Sequence, residues 1–139
     1  MIVIEEMRIS DLPCAITLWS SIPELSFSAT FDSIERLTKF LSHNTGLSTI
    51  ARTENSIIGA VLCGHDGRRG FIYHTGVESA YRKQGIAKQM VERCFEMLRK
   101  EDIDTCFLFT GNSNTGAQEF WKYMGFDYAS HIMYHSRAI

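Results

Sequence analysis

The chain has 139 residues, a formal net charge of −2, 45% hydrophobic residues and 22% charged ones. That length suits one domain, residues 1–139, around a single core, and the balance is that of an ordinary folded chain. No surplus of positive charge points to nucleic acid, no basic run to a membrane surface, and no apolar stretch approaches the roughly 20 residues needed to cross a bilayer.

In chain order, Ile2 to Arg8 alternates apolar and polar residues as a strand does. Ser10 or Asp11 can cap a helix to about Ser21, with Leu12, Ala15, Ile16 and Trp19 on one face and Pro13 in the first turn, where its missing N–H does no harm. Ile22 to Thr30 is irregular. Asp32 followed by Glu35 reads as a capping box for a second helix with the stripe Ile34, Leu37, Phe40, Leu41. Leu47 to Thr53 and Ile57 to Cys63 form a hairpin, and Phe71 to Val77 follows a tight connection at residues 65–70. There Asp66-Gly67 favours a hairpin turn, with Arg68 and Arg69 solvated.

After Val77 the pattern changes. Ile86, Met90, Cys94, Met97 and Leu98 predict a long amphipathic helix ending near Lys100, and the apolar run Cys106 to Phe109 a strand buried on both faces. Strand, helix, strand at these lengths is a βαβ unit, so the flanking strands should be parallel. A fourth helix turns Ala117, Phe120, Trp121 and Met124 inward and ends at Gly125 as a left-handed cap. Phe126 to Ala129 and Ile132 to His135 are expected as short terminal strands. The expected fold is α/β (α+β): a mixed, mostly antiparallel sheet of six to seven strands with four helices.

Cys14, Cys63, Cys94 and Cys106 show neither CxxC nor a metal-type spacing with histidine. They read as buried or half-buried thiols in a reducing compartment, and no metal is expected. Met1 to Arg8 carries Glu5 and Glu6 and no signal-peptide pattern, so a cytoplasmic location is expected.

The segment from Val77 to Ala87 lies between a strand end and a helix start. A helix start presents unpaired N–H groups and partial positive charge, and small residues there let an anion approach the backbone. Gly85 and Ala87 are small, and Arg82 and Lys83 add charge. The combination suits a pyrophosphate. By itself the loop could equally serve a nucleotide, a simple phosphate, or only helix packing; GxxxxGK[ST] and GxGxxG are absent.

Arg82-x-x-Gly85-x-Ala87 resembles the acetyl-CoA signature of the GNAT superfamily of N-acetyltransferases, in which Gln or Arg is followed by Gly three positions on and by Gly or Ala two further. Downstream, Asn114-x-x-Ala117-x-x-Phe120-Trp121-x-x-x-Gly125-Phe126 is similar to the second signature of that family. Each pattern alone is weak; both, in order and separated by one strand, are specific, and the element order matches throughout. The likeness is nearest to small bacterial members with a GYDGRRG-like turn, here residues 64–70.

The resemblance implies strands four and five splayed around the third helix, with acetyl-CoA between them. It implies that Val77 pairs with the pantetheine arm. It further implies that the backbone of Lys83, Gln84, Gly85, Ile86 and Ala87 holds the pyrophosphate with Arg82 nearby, and that Asn114, Ala117 and Trp121 border the cofactor. The acceptor would be a primary amine of a small molecule or peptide, with no nucleic acid or membrane partner, and the chain a monomer or homodimer. The same loop would also serve a non-catalytic acyl-CoA-binding sensor or interaction module.

The transfer needs a neutral amine, and deprotonating an amine of pKa near 10.4 at pH 7 costs about 4–5 kcal/mol. His74, on the strand lining the gap, and Glu78, where that strand ends, are the candidate bases; His74 facing a helix in the core and Glu78 on a solvated surface are the competing structural roles. Many family members place an acidic tyrosine where this chain has Trp121, whose indole N–H donates but is no acid near neutral pH. Tyr123 stands about 200° around the helix from it. The acid is then a water, Tyr73 or Tyr128, or there is none. Phe27, in the irregular stretch, is a candidate acceptor wall, and Trp19 a core residue.

Overall fold

Val3–Glu6 (β1) pairs antiparallel with Thr49–Arg52 (β2), β2 with Ile57–His65 (β3), and β3 with Gly70–Val77 (β4) in the computed structural model, which describes residues 1–139. Cys106–Phe107 (β5) joins parallel to β4, completing the order β1-β2-β3-β4-β5. The parallel pair is the βαβ unit the sequence predicts, and the helix between its strands is Ile86–Arg99 (α3).

The helices Leu12–Ser20 (α1) and Ile34–His43 (α2) share a core with one face of the sheet: Leu12, Trp19, Leu37 and Leu41 gather with Ile50, Ala60 and Leu62. Trp19 is fully buried and donates its indole N–H to the Ala60 carbonyl (3.3 Å), so its hydrogen-bonding need is met where its apolar area is buried. The alternate residues of β2 and β3 face α3; Met90 and Ala51 both abut Gly59, and Thr49 Oγ1 lies 3.4 Å from Cys94 Sγ. Covered on both faces, β3 is buried along nearly all of its length.

Residues Met1–Phe109 and Thr110–Ile139 form two compact units. The second is built on Thr115–Tyr123 (α4). Its C-terminus closes with the predicted left-handed glycine: at Gly125 (φ 94°) the N–H bonds to Lys122 O and the next N–H, of Phe126, to Trp121 O. These are the two bonds of a Schellman ending, and its usual apolar contact is the Trp121–Phe126 ring pair at 5.3 Å. No helix is long and apolar enough to cross a membrane.

Four expectations need correction. The sheet has five strands, not six to seven: Phe126–Ala129 and Ile132–His135 form none. Residues from Asp127 onward are exposed, so neither run has a face to bury. The Cys106–Phe109 run is half-buried rather than buried on both faces and is a strand for two residues only, and Phe109 is exposed. The cap of α2 is Ser33, whose hydroxyl accepts from Arg36 N (3.3 Å), because the Asp32 carboxylate is engaged elsewhere. Cys14 is exposed, on the outer face of α1.

Candidate functional site

β4 pairs with β5 at Gly70–Cys106 and Phe71–Phe107 only. From Ile72 to Val77 β4 runs on without a strand on that side, for about 20 Å at 3.3 Å per residue. This unpaired stretch lies where a splay between strands four and five is expected; β5 itself ends at Phe107.

On its other side β4 is bulged. Ala60 pairs with Gly76 and Leu62 with Tyr73, so Val61 alone faces His74 and Thr75. His74 absorbs the extra residue with a left-handed backbone (φ 47°), a conformation in which histidine is among the more tolerant non-glycine residues. Its ring turns toward α1 and makes tilted contacts with Trp19 (5.5 Å) and Phe27 (5.8 Å), which also touch each other (6.4 Å). His74 Nε2 lies 3.0 Å from Asp32 Oδ1, both side chains being largely buried. Asp32 is fixed in turn: its other oxygen accepts from Ser28 N (2.9 Å) and its own N–H bonds to Ser28 O (2.7 Å). On the bulge's second residue, Thr75 Oγ1 is the only buried side-chain polar atom without a hydrogen-bond partner; such an orphan is uncommon and calls for an occupant or a function.

At the end of β4, Val77 pairs with Gly59, and the N–H of Glu78 bonds to Ile58 O (2.8 Å). The Glu78 side chain is exposed and makes no contact with the His74–Asp32 pair. A single turn at Ser79–Tyr81 leads to Arg82, whose Nε donates to the Val77 carbonyl (2.9 Å), tying the loop back onto the strand. Lys83 and Gly85 are left-handed (φ 62° and 78°), with Gln84 between them exposed. Alternation of this kind curls backbone N–H groups into a concavity. Ile86 opens α3 with its side chain in the core, and Ala87 follows half-buried. The bond from Gln89 N to Gly85 O (3.1 Å) closes the first turn, and the N–H groups of Ile86 and Ala87 point out of the helix start, as the leading N–H groups of an α-helix do. A Cβ at Gly85 would meet nothing within 4 Å. The Cβ direction at Gly85 is therefore open, and donors, dipole and that clearance together suit a diphosphate.

In the second unit, Asn114 caps α4: its side-chain oxygen accepts from Ala117 N (3.1 Å). Two residues of the downstream signature thus have a local role. Trp121 is buried between Phe120 (4.9 Å between centroids) and Phe126.

The first unit brings together Val77, Arg82 and the 83–87 backbone at one strand end, and His74 with Asp32 at the bulge. Asp32 and Thr75 were not legible as site residues. For Asp32 a signal existed: Ser33 supplies a sufficient cap, which left an adjacent carboxylate without a task. Thr75 had no sequence signal.

The profile of the Acetyltransferase (GNAT) family matches residues 12–126. An acetyltransferase of Pectobacterium atrosepticum is 34% identical over 87 residues, 62% of this chain and 60% of its own length. N-alpha-acetyltransferase 30 of Saccharomyces cerevisiae is 37% identical over 79 residues, 53% of this chain and 45% of its own length. This chain therefore spans less than two thirds of either relative. Among solved structures, the NatC complex bound to Gag peptide and CoA is similar at a TM-score of 0.75 and 28% identity, over 88% of this chain and 82% of that one. Ard1 from Thermoplasma volcanium shares the fold at a TM-score of 0.79 and 13% identity, over 93% of this chain and 84% of its own. The match takes in both the loop before α3 and the α4 signature, and the chain belongs to the GNAT family of acetyltransferases.

Proposed function

We propose that the chain is an acetyl-CoA-dependent N-acetyltransferase whose acceptor is a primary amine of a small molecule or of a peptide or protein. The observation that carries this reading is the unobstructed, glycine-opened start of α3 at the end of a strand that has lost its neighbour. In this reading the N–H groups of residues 83–87 hold the diphosphate, and the open side of β4 up to Val77 receives the pantetheine arm. Arg82 acts by holding the loop on Val77 rather than by reaching outward. A β4 backbone N–H at the bulge polarises the thioester carbonyl.

The amine nitrogen adds to that carbonyl, the C–S bond breaks, and the sulfur leaves with the electron pair. Before attack, the ammonium must lose a proton. We assign that proton to His74 in preference to Glu78, because His74 is held in a fixed orientation and Glu78 is a free surface carboxylate. An ionised Asp32 only accepts, so the nitrogen facing it, Nε2, carries the ring proton and Nδ1 is left with the lone pair. Trp121 supplies no acid, and its burial among Phe120 and Phe126 gives it a packing role. The departing sulfur, with a pKa near 8.5 for a thiol, takes its proton from Tyr73 or water; this is the smaller of the two demands.

Release of free thiol from acetyl-CoA across a panel of amines, amino-terminal peptides and aminoglycosides tests the reading. Turnover on at least one is expected. Binding of acetyl-CoA with no turnover on any would replace the enzyme by a non-catalytic acyl-CoA-binding module.

A further inference from the structure

α2 carries an unusual stripe. Arg36, Lys39, Phe40 and His43 stand at i, i+3, i+4 and i+7, so three basic groups share one helix face with an aromatic ring among them. With Asn44 and Phe71 they line a shallow, open depression on the first unit. Like charges at such spacings weaken a helix by a few tenths of a kcal/mol per pair; the acids at compensating spacing are Glu35, four residues before Lys39, and Asp32, four before Arg36 but engaged with His74. Neither Arg36 nor Lys39 lies within ion-pair distance of a carboxylate. Glu35 is on the helix beside them, outside the depression. Arg36 rests over the Phe31 ring (5.8 Å). His43 is exposed and its Nδ1 lies 2.9 Å from the Lys39 carbonyl. A further cation, Arg69, lies over Phe107 (4.9 Å), whose ring meets Phe71 (6.1 Å). On a chain with a net charge of −2, this is a local concentration of unpaired positive charge.

The floor of the depression leads to the reaction centre. Phe40 and Phe71 both touch Tyr73 (6.2 and 5.4 Å), and Tyr73 immediately precedes His74. Phe71 and His74 are three strand residues apart, about 10 Å. An extended peptide covers that distance in about three residues.

We propose that this face of α2 is the acceptor subsite for an acidic amino-terminal peptide, in which carboxylates at the second and third residues meet Arg36 and Lys39 while the α-amino group lies at the β4 bulge. The proposal rests on the acetyl-transfer reading for the role of the amine, but charge recognition is measurable without turnover. The test uses two fluorescent peptides alike except for Ser-Glu-Glu or Ser-Gln-Gln at the amino terminus, and the wild-type and Arg36→Glu/Lys39→Glu proteins. Both substituted positions are exposed, and thermal unfolding checks that the variant is folded. Polarisation should show the acidic peptide binding at least fivefold more tightly to wild type, with the preference falling as salt rises, and the double variant should lose or reverse it. Equal affinity for the two peptides, binding of neither, or a preference that survives charge reversal overturns the subsite. Thiol release is scored separately. A charge-dependent preference with no turnover on any amine would overturn the transfer reading and leave the subsite standing.

Discussion

His74 and Asp32 face each other at 3.0 Å across the α1–α2 side of the sheet, one contributed by the β4 bulge and the other by the residue before the cap of α2. The pair couples the strand that lines the gap to the loop bearing Phe27. If His74 takes the amine proton and Asp32 only orients it, the two act in series. His74→Ala is expected to lower kcat by about 100-fold or more, with KM for acetyl-CoA within about twofold. Asp32→Asn should give a smaller loss in kcat, and the double variant should equal His74→Ala alone, since residues acting as one unit are not additive. Steady-state kinetics on the four proteins checks this; independent, multiplying losses would separate the two residues.

At Gly85, φ is 78° and the Cβ direction is open. Gly85→Glu places a carboxylate in front of the α3 donors and should abolish acetyl-CoA binding in titration calorimetry. Gly85→Ala is the control: the left-handed backbone costs about 1–2 kcal/mol of stability, with binding retained. Unchanged affinity in a folded Gly85→Glu protein would remove the diphosphate from this loop.

Gly76 is a packing glycine. A Cβ there would stand 2.7 Å from Ile22 Cδ1 and 3.3 Å from both Leu25 Cδ1 and Trp19 Cδ1. Gly76→Val overfills this contact and is expected to destabilise the fold by about 1–3 kcal/mol, lowering Tm by several degrees. Thermal melts by circular dichroism measure the change.

The carboxylate of Asp66 is held below its ordinary range, first by the N–H of Arg69 and then by that of Arg68, which donate to it at 2.9 and 3.0 Å. A depressed carboxylate contributes stability that is fully present above its unfolded pKa of about 3.9 and is lost as pH falls through the lower folded value. Asp66→Asn should therefore flatten the dependence of Tm on pH below about pH 4 and change it little at neutral pH.

The four thiols should separate by reactivity. Burial pushes Cys106 up to about 11. Cys63 is raised further, first by its hydrogen bond with Cys94 and then by burial, and Cys94 is buried too, whereas Cys14 is exposed. Brief alkylation at pH 8 followed by mass spectrometry should label Cys14 alone. Early labelling of Cys63 or Cys94 would mean that α3 opens from the sheet more readily than its packing implies.

Much of the fold is legible in the sequence because its signals are local. The alternation in β1, the turns that bound β2 to β4, the stripes of α1 to α4 and Gly125 each constrain a few adjacent residues. The loop before α3 was legible for the same reason: Arg82, Lys83 and Gly85 are neighbours, and their chemistry follows from the helix start they form. What was not legible depends on contacts between distant segments. The bulge at His74 exists only in register with β3, and Asp32 finds its role only once α2 is laid beside β4. The two expected terminal strands do not form because short apolar runs such as Ile132–Tyr134 become strands only where a sheet edge and a buried face receive them.

Both margins of the sheet are short. β1 has four residues and carries Glu5 and Glu6, and β5 has only two. Open backbone of this extent, charged at one border and truncated at the other, is a poor template for stacking copies side by side. The exception is Ile72–Val77 of β4, which the two-residue β5 leaves unpaired on one side: that stretch is long enough to template an added strand, so whatever fills it also guards the sheet against edge-to-edge pairing.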